Sequence, residues 1–500
     1  MTGAGLALGL ALFVGQGPLP AYARSAGHGH GAPAAPKLTR DVRAGIDTLT
    51  PNPPEQSDTT VEPSIAVNPS DPKNAVACYQ VGRVDGGGDQ TNGCATTFNG
   101  GKTWTQTYLP GLTPDTGGPF DRASDAAVAF GPNDVVYANS LVFDDGSESG
   151  DTNRSGVVVN VSTDGGRTWG PPLTVIDDMI GGLNDKNWIT VDDSDAPGHH
   201  LGRVYVTWDR IAPVLASYSD DQGKTWNGPF VIDPGQGIGT IPVVMPSGDL
   251  AVVYAATSPA GGGEPGIATD NPKEPSVSIE KLVVSVATGA GALPTGAPLV
   301  FGPPLSASDV QTNTVMQQRA GEGLPSAGVD PKSGRLFVGW EDGRFRSDGA
   351  NDAVVVWSGD EGMTWSPVTR VNPGPTGDHV DRWCTSIAVG ADGTVHVMYR
   401  QRHEVSTAGD FWDVDTYVQE STDGGATFTA PLRVNRVRTD IRFGAVSRGG
   451  TFLGDYDQLA VGGGLTYVVR AEAFSVVPGE PATFPPTVHH QRTYVAVVKG

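Results

Sequence analysis

Short apolar runs of four to seven residues recur along the whole chain, separated by clusters rich in Gly, Asp, Asn and Pro. No apolar pattern persists long enough to read as a helix, so the elements predicted are strands and tight turns. The runs align into seven starts: Ser64–Val67, Ala126–Phe130, Trp188–Val191, Ile241–Val244, Ser326–Val329, Thr385–Val389 and Gln458–Val461. A second run follows each start after a turn, as in NAVACYQ, DVVYANS, GRVYVTW and GRLFVGW. Five third runs end in the same eight-residue turn: residues 97–104 (TFNGGKTW), 162–169 (STDGGRTW), 219–226 (SDDQGKTW), 358–365 (SGDEGMTW) and 421–428 (STDGGATF). Its Asp or Asn is suited to fold onto following amides, and its Gly supplies positive φ. The closing aromatics are 65, 57, 139 and 63 residues apart, so one repeat has lost its turn. Self-similarity at a fixed period predicts a repeat architecture.

The repeated turn resembles the Asp box, or bacterial neuraminidase repeat, of sialidases and related β-propellers, over roughly residues 60–475. The resemblance implies an all-β fold: a single β-propeller of four-stranded blades with Asp-box turns between third and fourth strands. The seven starts favour seven blades, with six as the alternative. The seventh repeat has three strands before the chain ends. Its fourth is expected from Asp41–Leu49, ahead of the first repeat, which would close the ring. In the family the box lies on the face away from the active site, so these turns are read as structural.

Length alone would suggest about three domains, but the repeat makes residues 38–500 one propeller. A run of small and apolar residues followed by Ala21-Tyr22-Ala23 reads as a signal peptide over 1–23, and 24–37 as a flexible lead-in, so a secreted, extracellular protein is expected. The formal net charge of −22 argues against nucleic acid and anionic membrane surfaces. Past the N-terminus no run is apolar enough for membrane insertion. A monomer is expected. Cys78 and Cys94 fall on adjacent strands, which suits a disulfide in an oxidising compartment. Cys384 is read as a small core residue. Acidic loops (Asp144, Asp145, Glu148 and Asp151; Asp410, Asp413 and Asp415) would suit Ca²⁺ as a structural ion. They match no metal-binding motif, so no metal site is assigned and no cofactor is required.

No common catalytic motif is present, so a site must arise from geometry. Innermost strands of a propeller begin on one face, where the second strands also end. The residues entering those strands include Glu62, Asp121, Arg122, Asp125, Asp185, Lys186, Arg319, Asp381, Arg382, Asp455 and Tyr456. Exits from second strands add Arg83, Asp209, Arg210, Glu341, Asp342, Arg344, Arg400, Arg402 and Glu472. Ion pairs between blades are the plain alternative for these charges. Sialidases hold a substrate carboxylate in an Arg cluster and use an Asp acid/base and a Tyr nucleophile. The resemblance carries over in part. Val61-Glu62-Pro63 replaces the family's first Arg motif, while Tyr456 in Gly-Asp-Tyr-Asp falls roughly where its Tyr does. Arg122, Arg319 and Arg382 are the candidate anion clamp, joined in substrate binding by Lys186, Asp185 and Arg344. Asp121 or Asp125 is the candidate acid/base and Tyr456 the nucleophile, with Asp455 or Glu62 taking its proton. The leading expectation is a glycoside hydrolase acting on an acidic glycan. The alternatives are a non-catalytic propeller that binds glycan or protein, and a polysaccharide lyase using Tyr456 or His379 as base.

Overall fold

The computed structural model describes residues 36–500 apart from 53, 148–153, 179–183, 211, 260–276, 404–410 and 449. The expected signal peptide, most of the lead-in, and Glu148, Asp151 and Asp410 lie outside the described residues. The chain is all-β, with only three short 3-10 turns among the described residues. Its strands pair antiparallel in groups of four, numbered I to VII here in chain order. The innermost strands of I to IV are Thr60–Val67, Arg122–Phe130, Asp185–Val191 and Gly237–Val244. Those of V to VII are Ser326–Val329, Val380–Val389 and Gln458–Gly462. Each innermost strand packs against that of the next sheet, and that of VII against that of I, so the sheets close into a ring. Sheet VII is completed by Lys37–Gly45, which pairs with Gln491–Lys499. The closing strand therefore starts four residues ahead of the expected Asp41–Leu49 and joins the two ends of the described chain.

Five innermost strands also begin earlier than their apolar runs. In I, II, III, IV and VI the register breaks at the same place, between Val61 and Ser64, Ser124 and Ala127, Asp185 and Trp188, Ile238 and Ile241, and Trp383 and Ser386. One residue in each break is left-handed: Glu62 (φ 48°), Asp125 (43°), Lys186 (40°), Gly239 (71°) and Cys384 (50°). These are bulges, which bend a strand and re-aim a side chain. Four of the five carry a side chain in a conformation that L-residues rarely adopt. The polar bulge residues interrupt the alternation by which a strand is read, so the apolar runs mark only the second half of each strand.

The repeated turns join third to fourth strands in I, II, III, V and VI. Asp164 accepts from the Thr168 amide (2.9 Å) and hydroxyl (2.6 Å), and Ser162 Oγ accepts from the Gly166 amide (2.9 Å). Asp221, Asp360 and Asp423 repeat the pattern with Thr225, Thr364 and Thr427. The turn also touches the preceding sheet. A Cβ at Gly166 (φ 91°) would meet Val76 of sheet I at 2.6 Å, and one at Gly362 (φ 90°) would meet Val284 of sheet IV at 2.3 Å. The closing aromatics Trp104, Trp169, Trp226, Trp365 and Phe428 pack into the apolar layers between sheets. Cys78 and Cys94, opposite each other on the second and third strands of sheet I, are bonded, and Cys384 is free and buried.

Partial burial pushes Asp164, Asp221 and Asp423 up, but bonds from the turn threonines and amides outweigh it and hold each below the usual carboxylate range. At Asp360 the Thr364 bonds are themselves the leading cause. A depressed folded pKa contributes stability that is complete above the unfolded value of 3.8 and is lost as pH falls through the folded one. Asp221→Ala is expected to cost about 1–2 kcal/mol at pH 7, shrinking below pH 3.8. Trp226→Ala is expected to cost about 3 kcal/mol by leaving a cavity between sheets. Denaturant unfolding of both at pH 7 and pH 3 measures this; an Asp221→Ala deficit that grows on acidification would contradict it.

Candidate functional site

The bulges bring charge to one end of the ring axis. Lys186 Nζ lies 3.0 Å from Asp455 Oδ2, 3.5 Å from Asp125 Oδ1 and 3.6 Å from Glu62 Oε1. All four side chains are buried. Arg319 Nη2 reaches the same Asp455 oxygen at 2.7 Å. Glu62 also accepts from the Asp455 amide at 3.0 Å and from the Gln80 side chain. Tyr456 donates its hydroxyl to Asp125 Oδ1 at 3.3 Å. Its ring meets Trp188 edge-on at a centroid distance of 5.4 Å, and the Lys186 ammonium is 5.8 Å from its centre. Carboxylates can be buried here because each shares a cation or accepts amides.

These groups stand at one end of a cavity of about 400 Å³ that runs along the innermost strands. Asp125, Lys186, Glu341, Cys384, Asp455 and Tyr456 line its polar end, and Val128, Ile189, Ile241, Ala327 and Ile387 are among its apolar walls. Glu341, at the end of the second strand of sheet V, accepts from the Gly323 amide at 2.6 Å. Burial pushes its carboxyl up to about 8, with nearby Glu322 adding to the effect. Burial raises Glu322 as well, and pushes the Cys384 thiol well above its usual value.

Of the residues expected at the site, Glu62, Asp125, Lys186, Arg319, Asp455 and Tyr456 come together. The three-arginine clamp does not form. Arg122 is held by Glu55 at 3.0 Å and Asp145 at 2.9 Å. Arg382 is held by Asp352 and Asp378, both at 3.2 Å. Asp121 Oδ2 accepts from the Asp145 and Gly146 amides, Asp185 Oδ1 from the Lys186 amide, and Arg344 pairs with Asp342 at 2.8 Å. None of these five lines the cavity. His379 is exposed and away from it. Among the described residues no group of three or more His, Cys, Asp or Glu is placed to hold a metal ion. Glu341 was visible in sequence only as one exit among many, and nothing local marked Gln80 or Glu322.

No family model matches this chain, and no curated protein matches it. Among solved structures it is similar to a Hadza microbial sialidase, at 16% identity and a TM-score of 0.44. That match covers 68% of this chain and spans 63% of the sialidase. It is also similar to an α-L-arabinofuranosidase from Fusarium graminearum, at 13% identity over 73% of this chain and 92% of that one, with a TM-score of 0.43. A polysaccharide lyase of family PL25, an ulvan lyase, matches over 92% of this chain and 96% of its own at 12% identity and a TM-score of 0.51. The resemblance read from the repeated turn holds at the level of fold: the closed ring of sheets and the likeness to the ulvan lyase make this a β-propeller.

Glu341 gives a pH test of the site. Its folded pKa of about 8 lies above the unfolded value of 4.5, so the stability it contributes is complete below pH 4.5 and is lost as pH rises toward 8. Glu341→Gln keeps the acceptor for Gly323 and removes the titration. The variant is expected to gain on wild type by an amount on the order of 3 kcal/mol across that window. Urea midpoints at pH 5 and pH 8 measure it, and parallel pH dependences would refute the assignment.

Proposed function

We propose that this chain is a carbohydrate-active propeller, a glycoside hydrolase whose seven sheets are seven blades and whose repeated turns are Asp boxes. The observation that carries the reading is the Tyr456–Asp125 hydrogen bond at the polar end of an apolar-walled cavity. A tyrosine hydroxyl, with an ordinary pKa of about 10, needs a base beside it to act as nucleophile. Asp125 occupies that place, and Lys186 beside the ring favours the phenolate. In this scheme Tyr456 Oη attacks the anomeric carbon while its proton passes to Asp125. Glu341, protonated at neutral pH, gives a proton to the departing glycosidic oxygen as the C–O bond breaks. Water then attacks the same carbon, returns a proton to Glu341, and the phenolate regains its own from Asp125.

The charge balance favours a neutral sugar over the acidic glycan that the arginines had suggested. Glu62, Asp125 and Asp455 face Lys186 and Arg319, and both cations already hold carboxylates. With two of the three arginines tied up elsewhere, a substrate carboxylate would enter a site whose charge is already negative. A lyase reading keeps Tyr456 as base and differs in its product, an unsaturated uronate end. A secreted protein working as a monomer, without a cofactor, suits either reaction.

The test is incubation with neutral aryl glycosides, sialosides and uronic-acid polysaccharides, following reducing ends and unsaturated products. Hydrolysis of a neutral glycoside is expected, and Glu341→Gln is expected to slow it about 10²–10⁴-fold. On dinitrophenyl glycosides, whose leaving group needs no proton, that variant should keep its initial burst of phenol release and then stall as the glycosyl-enzyme, because Glu341 also serves the water that hydrolyses it. Tyr456→Phe should lose both. Turnover of none of the panel would leave a binding propeller as the reading, and unsaturated ends would make it a lyase.

A further inference from the structure

The polar cluster lies at the mouth where the innermost strands begin, and that mouth is covered. Two segments outside the seven four-stranded sheets, 315–325 and the described residues of 445–457, cross it. They join in a small three-stranded sheet in which Gln318–Arg319 pairs with Gly450–Phe452, and Gly450–Phe452 with Ala445–Ser447. This roof touches sheets on different sides of the ring. On sheet I, Arg83 donates to Ser447 Oγ at 2.9 Å and lies 4.3 Å from the centre of the Phe452 ring. Arg319 stacks on the same ring at 4.5 Å. On sheet IV, a Cβ at Gly239 would meet Leu324 at 2.7 Å. On sheet VI, Cys384 Sγ lies 3.6 Å from the Gly454 carbonyl, and Arg402 donates to the Met316 carbonyl. Beneath the roof Gly454 presses on Glu62: a Cβ there would sit 3.0 Å from Glu62 Cγ.

The far end of the cavity differs. Its lining runs down the innermost strands to Phe130, Val191, Val244 and Val329, where they end, and on to Asp193. Asp193 is the one exposed lining residue, and Ala66, Thr190, Ala327 and Val329 are half-buried. The geometry points to the axial channel, entered from the strand-end face, as the route by which a small ligand reaches Tyr456 and Lys186, and not to the roofed mouth. A cavity of about 400 Å³ with apolar walls and polar groups at its closed end fits one sugar unit or a neutral polyol of that size. In the hydrolase reading, on which only the sugar part rests, the enzyme would take a chain terminus or a small glycoside and exclude the middle of a polymer.

Cys384 reports the route without any reaction being known, because it lines the polar end, is buried and has no disulfide. Methylmercury, whose affinity for sulfur displaces the thiol proton even where burial disfavours the thiolate, should label it in the native protein at a rate unchanged by low urea. An organomercurial on a large polyethylene glycol should not label it. Thr190→Trp and Ala327→Trp each narrow the channel far from the thiol. Either is expected to slow labelling at least about tenfold, leaving only local opening as a path. Phe452→Ala, which loosens the roof, should restore labelling when added to a narrowed variant. Melting temperatures near wild type in both Trp variants exclude misfolding as the cause. Wild-type labelling rates in both, or no native labelling by the small reagent, would overturn the route. If labelling follows this pattern and no glycoside is cleaved, the channel stands and the hydrolase reading falls. If neutral glycosides are cleaved equally well by the Trp variants, the channel assignment falls and the hydrolase reading stands.

Discussion

The ring depends at its axis on one buried ammonium. Lys186 of sheet III holds Asp125 of sheet II, Glu62 of sheet I and Asp455 just ahead of sheet VII. Each partner comes from a different repeat, so four sheets meet on a single cation. Removing one member of such a cluster leaves the others charged and dry, a cost of about 3–5 kcal/mol. The bulges make the cluster reachable. A regular strand would alternate its side chains between the neighbouring sheets, whereas in the breaks of sheets I, II and III the left-handed residue turns a charged side chain into the cluster. Backbone strain and buried charge therefore fall at the same positions, a coincidence more common at working sites than in scaffolding.

Away from the axis the same problem, holding sheet to sheet, is solved by repetition. Each of these turns closes on itself through hydrogen bonds from its Asp or Asn and presents the glycine at its fifth position and its aromatic to the sheet before it. Sheet IV lacks the turn. The stretch after its third strand instead packs on sheet III: Arg203 donates to the Ala290 and Leu293 carbonyls at 2.7 and 2.9 Å, and Tyr218 to that of Ala297. A lost repeat is thus replaced by contacts of another kind at the same interface.

These two modes explain what could be read from the chain beforehand. Whatever repeats was legible: the seven apolar starts, the turns, the paired cysteines and the need for an N-terminal strand to complete the last sheet. The charged halves of the inner strands were not legible as strand, because Glu62, Asp125 and Lys186 break the alternation there. Entry position did place Glu62, Asp125, Lys186, Asp455 and Tyr456 together, since it fixes where a backbone approaches the axis. It failed for Arg122 and Arg382, whose long side chains reach other carboxylates first. Asp145 and Asp352 lie 23 and 30 residues away in sequence, and nothing local marks them as partners.

The roof was the least legible part, and it bears most on what the site can do. A repeat architecture offers the same face to solvent in every relative; what departs from the repeat decides access. Segments 315–325 and 445–457 show no periodicity, yet they supply Arg319, Asp455 and Tyr456, three of the six residues that converge. The same insertion that completes the cluster also closes its mouth. A site assembled partly from its own cover cannot be opened there without drawing Asp455 off Lys186, and so without unbalancing the charges around that ammonium. The energetics of the cluster and the direction of entry are therefore one question, and a closed roof over a charged cluster leaves the apolar channel as the side on which the cluster meets solvent.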